Sequence, residues 1–180
     1  MENTVTIHMV ASLDGFIARK DNDISWLTSN DDYPQGVTLS DAEIATFLER
    51  IDCYVMGSHT YEHALELGWP YGDTPVMVIT SRPMQPKRES VQFYSGDLTS
   101  LLNNKLKPSY SNIWLVGGAM LVKEFIRLKL ADEIIISIMP VLLGGGTPFF
   151  DELDIEQSLH LKDVVSYRNG MVELWYEIIN

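Results

Sequence analysis

Sulfur chemistry is nearly absent from this chain: it has one cysteine, Cys53, in 180 residues. A single cysteine excludes an internal disulfide and a cysteine-based zinc site. Cys53 opens the apolar run Cys53-Tyr-Val-Met56 and reads as an inert core thiol. Long apolar runs are also missing. No stretch approaches the roughly 18 residues that a membrane helix needs, and Met1-Glu-Asn-Thr4 carries no basic leader, so cytosol is the expected compartment. Positive charge is scarce, with 13 Lys and Arg against 25 Asp and Glu and a net charge of −12. Such a surface repels nucleic acid and anionic membranes, so neither is an expected partner. An anionic ligand would have to be held by backbone donors and a few local bases. The four histidines show no metal-ligand spacing with a cysteine or carboxylate, so no metal site is expected. The Gly-x-Gly-x-x-Gly dinucleotide fingerprint is absent too, since the first strand, Val5 to Ser12, runs into Leu13-Asp14-Gly15.

What is present centres on Asn112 to Ile126. Ile113 to Val116 is a short continuous apolar run, as in a strand buried on both faces. Past Gly117-Gly118, the residues Leu121, Val122, Phe125 and Ile126 recur at helical spacing. A strand that turns through glycines into a helix can hold a phosphate. The backbone is open to close approach, and the first helical N–H groups are free. The same residues also suit a tight turn with no ligand.

Strands and helices alternate through most of the chain. A capping box, Ser40-Asp-Ala-Glu43, predicts a helix to about Arg50. Cys53 to Met56 predicts a strand followed by a short helix through Leu65, and Pro75 to Thr80 and Val91 to Ser95 predict two more strands. Asp97 is a predicted N-cap of a helix to about Lys105, and Glu133 to Pro140 is a further strand. Two alternating runs, Leu159–Tyr167 and Met171–Ile179, flank Asn169-Gly170, a strong hairpin signal. The expected fold is a single α/β domain over residues 1–180, with a mostly parallel sheet, helices on both faces and a C-terminal antiparallel hairpin. Three strand ends carry ligand-type residues, Gly57-Ser-His-Thr60, Thr80-Ser-Arg82 and Gly117-Gly118. In open α/β sheets, ligands bind at such ends.

Four segments together resemble the dihydrofolate reductase-like superfamily, especially the reductase domain that follows a deaminase in bacterial riboflavin-biosynthesis enzymes, here in stand-alone form. They are Ser12-Leu-Asp-Gly-Phe-Ile-Ala18, Val55-Met-Gly-Ser-His-Thr-Tyr-Glu62, Val116-Gly-Gly-Ala119 and Met139-Pro-Val-Leu-Leu-Gly-Gly-Gly-Thr-Pro-Phe-Phe150. The resemblance implies a dihydrofolate reductase-like three-layer fold and an NADPH-dependent reductase, with NADH as the other candidate and no metal. It matches Gly117, Gly118 and Ala119 to paired glycines, commonly joined by a cis peptide, beside the cofactor pyrophosphate. Gly57, Ser58, His59 and Thr60 match a second phosphate-holding turn. Thr80, Ser81 and Arg82 match the segment at the adenosine ribose and its 2′-phosphate, and Val10, Ala11 and Ile17 match positions lining the nicotinamide. For these three, plain core packing fits the sequence equally well.

Hydride transfer to a C=N or C=O bond also needs a proton. The resemblance points to an acid shortly after Trp26, so Asp31 is the first candidate, with Asp32 beside it. Asp14 is the second, and Asp14-Gly15 and Asn30-Asp-Asp-Tyr-Pro34 also read as turns. Trp26 is either an aromatic wall of the substrate cleft or a core anchor. Of the histidines, only His59 has a ligand-site reading. His8 is expected to be a half-buried sheet residue, and His63 and His160 are expected to be exposed.

Three positions depart from the family pattern. Ser58 replaces an arginine that meets the 2′-phosphate. Phe16 replaces a lysine of the riboflavin enzymes, and Pro70-Tyr-Gly-Asp73 stands where folate reductases carry an arginine. The expected substrate is thus a small pterin-like, pyrimidine-like or related conjugated molecule, not further assigned. The alternative is a nucleotide-binding protein that keeps the fold without turnover. A homodimer is expected by analogy, through Ile134–Val141 and the final strand around Trp175.

Overall fold

The computed structural model describes residues 3–180. Ten strands and four helices follow one another: β1 (Thr4–Ser12), β2 (Phe16–Ala18), α1 (Asp41–Leu48), β3 (Cys53–Gly57), α2 (Ser58–Glu66), β4 (Val76–Ile79), β5 (Val91–Tyr94), α3 (Leu98–Leu101), β6 (Asn112–Gly117), α4 (Ala119–Arg127), β7 (Glu133–Met139), β8 (Thr147–Pro148), β9 (Leu159–Ser166) and β10 (Val172–Ile178). Eight strands form one sheet in the order β5-β4-β3-β6-β1-β7-β10-β9. Every pairing from β5 across to β7 is parallel, and the β9–β10 hairpin is antiparallel to its neighbours. This is the three-layer, mostly parallel fold that the sequence predicts. The short β2 and β8 pair separately, at the rim where β1 ends.

Alternation along β1 sets the two sides of the sheet. Val5, Ile7, Met9 and Ala11 are buried in a core completed by Leu101, Leu106, Val122, Phe125 and Ile126. Burying the larger of these side chains contributes roughly 1.5–3 kcal/mol each. Thr6, His8 and Val10 point the other way, as a period of two requires. A second core lies around α2, where Tyr54, Met56, Tyr61, Trp69 and Val78 meet. The thiol of Cys53 is buried in the first core, and burial pushes its pKa up to about 12.

Two helices differ from expectation. α1 has its complete capping box, with Ser40 Oγ accepting from Glu43 N and Glu43 accepting from Ser40 N. It nevertheless ends at Leu48, and none of its residues is buried. A cap fixes where a helix starts; packing decides how far it runs. The predicted helix after Asp97 begins with Asp97 Oδ1 accepting from Ser100 N at 2.7 Å, then loosens into a π-turn over Leu102–Leu106. Within Ile134–Val141, part of the stretch expected at a homodimer face, β7 pairs with β1 on one side and β10 on the other, and Ile134, Ile135 and Met139 are buried. Exposed apolar side chains are spread over several elements, and on the hairpin they include Leu159, Leu161 and Val164 of β9.

Candidate functional site

The carboxyl ends of β3 and β6 are neighbours in the sheet, and each turns directly into a helix. Gly57 is the N-cap of α2 and Gly118 is the N-cap of α4, and neither helix has a side chain capping its first turn. The glycines face each other. A Cβ on Gly57 would sit 3.9 Å from Gly117 O and 4.0 Å from Gly118 N, and one on Gly118 would sit 3.8 Å from Thr60 Oγ1. Gly117 has φ +119°, which favours glycine, and the Gly117–Gly118 peptide is cis. Two free helix N-termini therefore sit side by side with no side chain between them. Uncapped N–H groups at two neighbouring helix N-termini suit a phosphate or pyrophosphate, which an acidic surface would otherwise repel.

A cleft of about 670 Å³ opens from these turns across the β1–β6 face of the sheet. That volume is typical of small-molecule sites, which run to roughly 300–1,000 Å³. Its glycine end includes Thr60 and Gly118, with His59, Glu62, His63 and Glu66 from α2 along one side. Val10, Ile17 and Ala18 contribute the apolar middle, with Ile24 and Leu27 from the segment after β2. His8, Tyr71, Trp114 and Val116 form an aromatic far wall. There the His8 and Trp114 rings stack at 4.5 Å and 13°, Tyr54 links Trp114 to Tyr71, and Phe47 of α1 meets both His8 and Trp114 edge-on.

Of the residues expected here, Val10, Ile17, His59, Thr60 and Gly118 line the cleft, and Gly57, Ser58, Gly117 and Ala119 belong to the two turns beside it. Thr80, Ser81 and Arg82 lie outside the lining. Arg82 is tied to the cleft through α2, donating to Glu62 Oε2 at 2.8 Å, and His59 Nδ1 lies 3.6 Å from the same oxygen. Ala11 is a correction: it faces the opposite side of β1, fully buried in the main core.

Trp26 is buried and does not line the cleft. It is 6% exposed inside a one-turn 3-10 segment, while its neighbours Ile24 and Leu27 reach the cleft. Among the described residues, no group of three or more His, Cys, Asp or Glu is arranged to hold a metal ion. No helix there is long and apolar enough to cross a membrane.

Both acid candidates sit elsewhere. Asp14 accepts from Ser12 Oγ at 2.7 Å, Leu143 N at 3.0 Å and Gly144 N at 2.7 Å. Those hydrogen bonds, the Ser12 hydroxyl first, hold its pKa down to about 2, so it clamps the Gly144 loop as a carboxylate and has no proton to give at neutral pH. Asp31 is exposed against the β9–β10 turn, with its carboxylate occupying the place a Cβ on Gly170 would take. Its neighbour Asp32 pairs with Arg168 at 2.8 Å. Neither Asp31 nor Asp32 lines the cleft.

Sequence reasoning missed the far wall. His8 is half-buried, as expected, but it also lines the cleft, as does His63. The signal was available in part: His8 and Val10 share one face of β1 by period two, as Trp114 and Val116 do on β6.

The sheet order, the glycine turns and the cleft across β1 and β6 define a dihydrofolate reductase-like fold. A dihydrofolate reductase from Enterococcus faecalis, solved with NADP(H), superposes with a TM-score of 0.62 at 16% identity, over 98% of this chain and 97% of that one. Residues 3–172 match the model of the RibD C-terminal domain, and the chain belongs to that family. It is 35% identical over 178 residues to the uncharacterized protein YwjB of Bacillus subtilis, covering 98% of each. A protein of Shewanella sp. PV-4, provisionally named for riboflavin biosynthesis, shares 26% identity and a TM-score of 0.84, over 98% of this chain and 99% of that one.

Proposed function

We propose that this protein is an NADPH-dependent reductase that transfers a hydride to a small pterin-like, pyrimidine-like or related conjugated substrate. One observation carries the reading: two uncapped helix N-termini meet at facing glycines at one end of a cleft whose other end is aromatic. That arrangement suits a dinucleotide with its pyrophosphate at Gly57–Thr60 and Gly117–Ala119 and its nicotinamide toward Val10 and Ile17. Membership of the RibD C-terminal family supports the same class.

When bound, the nicotinamide supplies the hydride. The chain fixes the reactants by backbone contacts at the glycine end and by ring packing at the wall, and it limits water in the apolar middle. NADH remains the competing cofactor, because Ser58 offers no cation and Arg82 already serves Glu62. The exposed apolar side chains of β9 support a homodimer as part of this proposal.

Titration with NADPH, following tryptophan fluorescence, tests the reading. Saturable micromolar binding that Gly118→Val weakens is the expected result, and no binding of NADPH or NADH at millimolar concentration would sink it. The second reading is a nucleotide-binding protein without turnover. Asp14 favours it, since that carboxylate is committed to the Gly144 loop and Asp31 lies outside the cleft. Cofactor binding with no oxidation of NADPH against any pteridine or pyrimidine would decide for it.

A further inference from the structure

His8, on the cleft wall, is tied into a part-buried polar chain. Its Nε2 lies 3.3 Å from Ser137 Oγ, and Ser137 Oγ donates to Glu173 Oε2 at 2.9 Å. The other carboxylate oxygen, Glu173 Oε1, accepts from Tyr167 OH at 3.3 Å. The four residues come from β1, β7, β10 and the turn that follows β9, and β7 brings Ser137 opposite both Val10 and Glu173. Ser137 is itself buried.

Proton direction along the chain fixes the state of the imidazole. Ser137 Oγ has a single hydroxyl hydrogen, and it is spent on Glu173 Oε2. Ser137 Oγ then has only lone pairs for His8, and Nε2 must carry the ring proton. Burial keeps the ring neutral at pH 7, with a pKa lowered to about 4, although Glu173 at 3.7 Å works the other way. In a neutral ring with Nε2–H, Nδ1 is a bare acceptor. The structure leaves His8 Nδ1 shielded from water and without a partner. A buried acceptor without a donor is unfavourable, and it is cured when a ligand brings one.

We propose that His8 reads the substrate, its Nδ1 accepting a hydrogen bond from a ring N–H of a planar heterocycle packed at the aromatic end of the cleft. This deepens the reductase reading and rests on it for the use of the cleft. The stacked His8–Trp114 pair and Tyr71 supply flat surface for such a ring. Reading the substrate requires Nδ1 to be uncovered by a shift of a neighbouring ring, and Phe47 is the edge-on neighbour of both His8 and Trp114. Phe47 is 40% exposed on α1, which buries none of its residues, so moving it sacrifices little packing. The wall thus selects lactam or amino-bearing heterocycles and rejects those whose ring nitrogens are alkylated.

Two pteridines test this directly, namely lumazine, with two ring N–H groups, and 1,3-dimethyllumazine, with none. Binding of each is measured by fluorescence at pH 6.5 with the full chain, with and without NADPH. Lumazine is expected to bind at least about tenfold more tightly. His8→Asn keeps an acceptor on the same γ carbon and should retain the preference, whereas His8→Phe should abolish it. A preference that survives in His8→Phe overturns the proposal, and so does no binding of either pteridine at millimolar concentration.

If His8→Phe does not fold, Ser137→Ala replaces it. That variant frees Nε2 from its partner and should shrink the preference, and an unchanged preference overturns the assignment. Nitrogen-15 spectra of the labelled imidazole give an independent readout. A proton on Nε2 is expected, and a proton on Nδ1 overturns the proposal. NADPH titration in the same samples separates the two claims. Lost cofactor binding with intact lumazine selectivity removes the reductase reading and leaves His8 as the reader.

Discussion

The two ends of the cleft are built by different means. The glycine end is made of backbone: Gly57 and Gly118 cap their helices with no side chain, and the facing turns leave room where Cβ atoms would stand. The aromatic end is made of side chains that meet from β1, α1, β3, β6 and the loop after α2. A backbone site depends on local turns, so it tolerates exchange of most side chains around it. A side-chain wall depends on several distant elements being in register. The first end should therefore respond to substitution in binding, and the second in stability as well.

The largest expected effect falls on the aromatic end. Trp114→Ala removes the ring that contacts His8, Phe47 and Tyr54 and the hydrogen bond from its Nε1 to His8 O at 2.8 Å. A loss of about 3 kcal/mol is expected, lowering the melting temperature by roughly 6–12 °C in a thermal scan. A drop below about 1 kcal/mol would mean the wall is not a packed unit.

Gly118→Val is the counterpart at the glycine end. Its new side chain would point toward Thr60 and fill the gap between the helix N-termini. NADPH affinity should fall at least about tenfold in the titration while the melting temperature moves by only a few degrees. Equal losses in both measurements would erase the contrast between the two ends.

Asp14 sharpens the comparison from the rim. Its folded pKa, about 2, lies below the ordinary carboxylate value, so its stabilising effect is full above about pH 4 and disappears as pH falls through about 2. Asp14→Asn should melt below the wild type at pH 7, with the gap closing toward pH 2. A gap independent of pH would show that charge is not what the loop uses.

The smallest effect is expected at Asp31→Asn, which should leave NADPH and lumazine affinities unchanged, because Asp31 sits at the hairpin turn and not in the cleft. A tenfold change in either affinity would bring the hairpin into the site.

Legibility from the sequence followed the same division. The two glycine turns, the capping box at Ser40 and the hairpin at Asn169-Gly170 were readable because each is a short pattern with a local cause. Ala11 was misplaced although its strand was read correctly. Which face of β1 meets the cleft depends on where α1 and α2 lie, and that is not a property of β1. Asp31 lies outside the cleft for a related reason. Spacing put Asp31 five residues after Trp26, but the loop between β2 and α1 is drawn to the far edge of the sheet, where Tyr33 N donates to Arg168 O and Val37 N to Ser166 O. Hydrogen bonds between segments so distant in sequence leave no local pattern to read.

The amino-acid sequence by itself determined the order of strands and helices, the parallel sheet with its closing hairpin and the two glycine turns between strand and helix. Each follows from side-chain periodicity, turn chemistry or missing Cβ atoms within a few residues. Only the tertiary structure decided that Asp14 is a clamp, that Trp26 is buried and that His8 stands at the cleft with an unpartnered nitrogen. Those outcomes turn on hydrogen bonds and burial between segments up to about 130 residues apart, such as Ser137 with His8 and Gly144 with Asp14. A polar side chain's role is set by the partners that the folded state places within hydrogen-bond reach, and those are fixed only when the chain has folded.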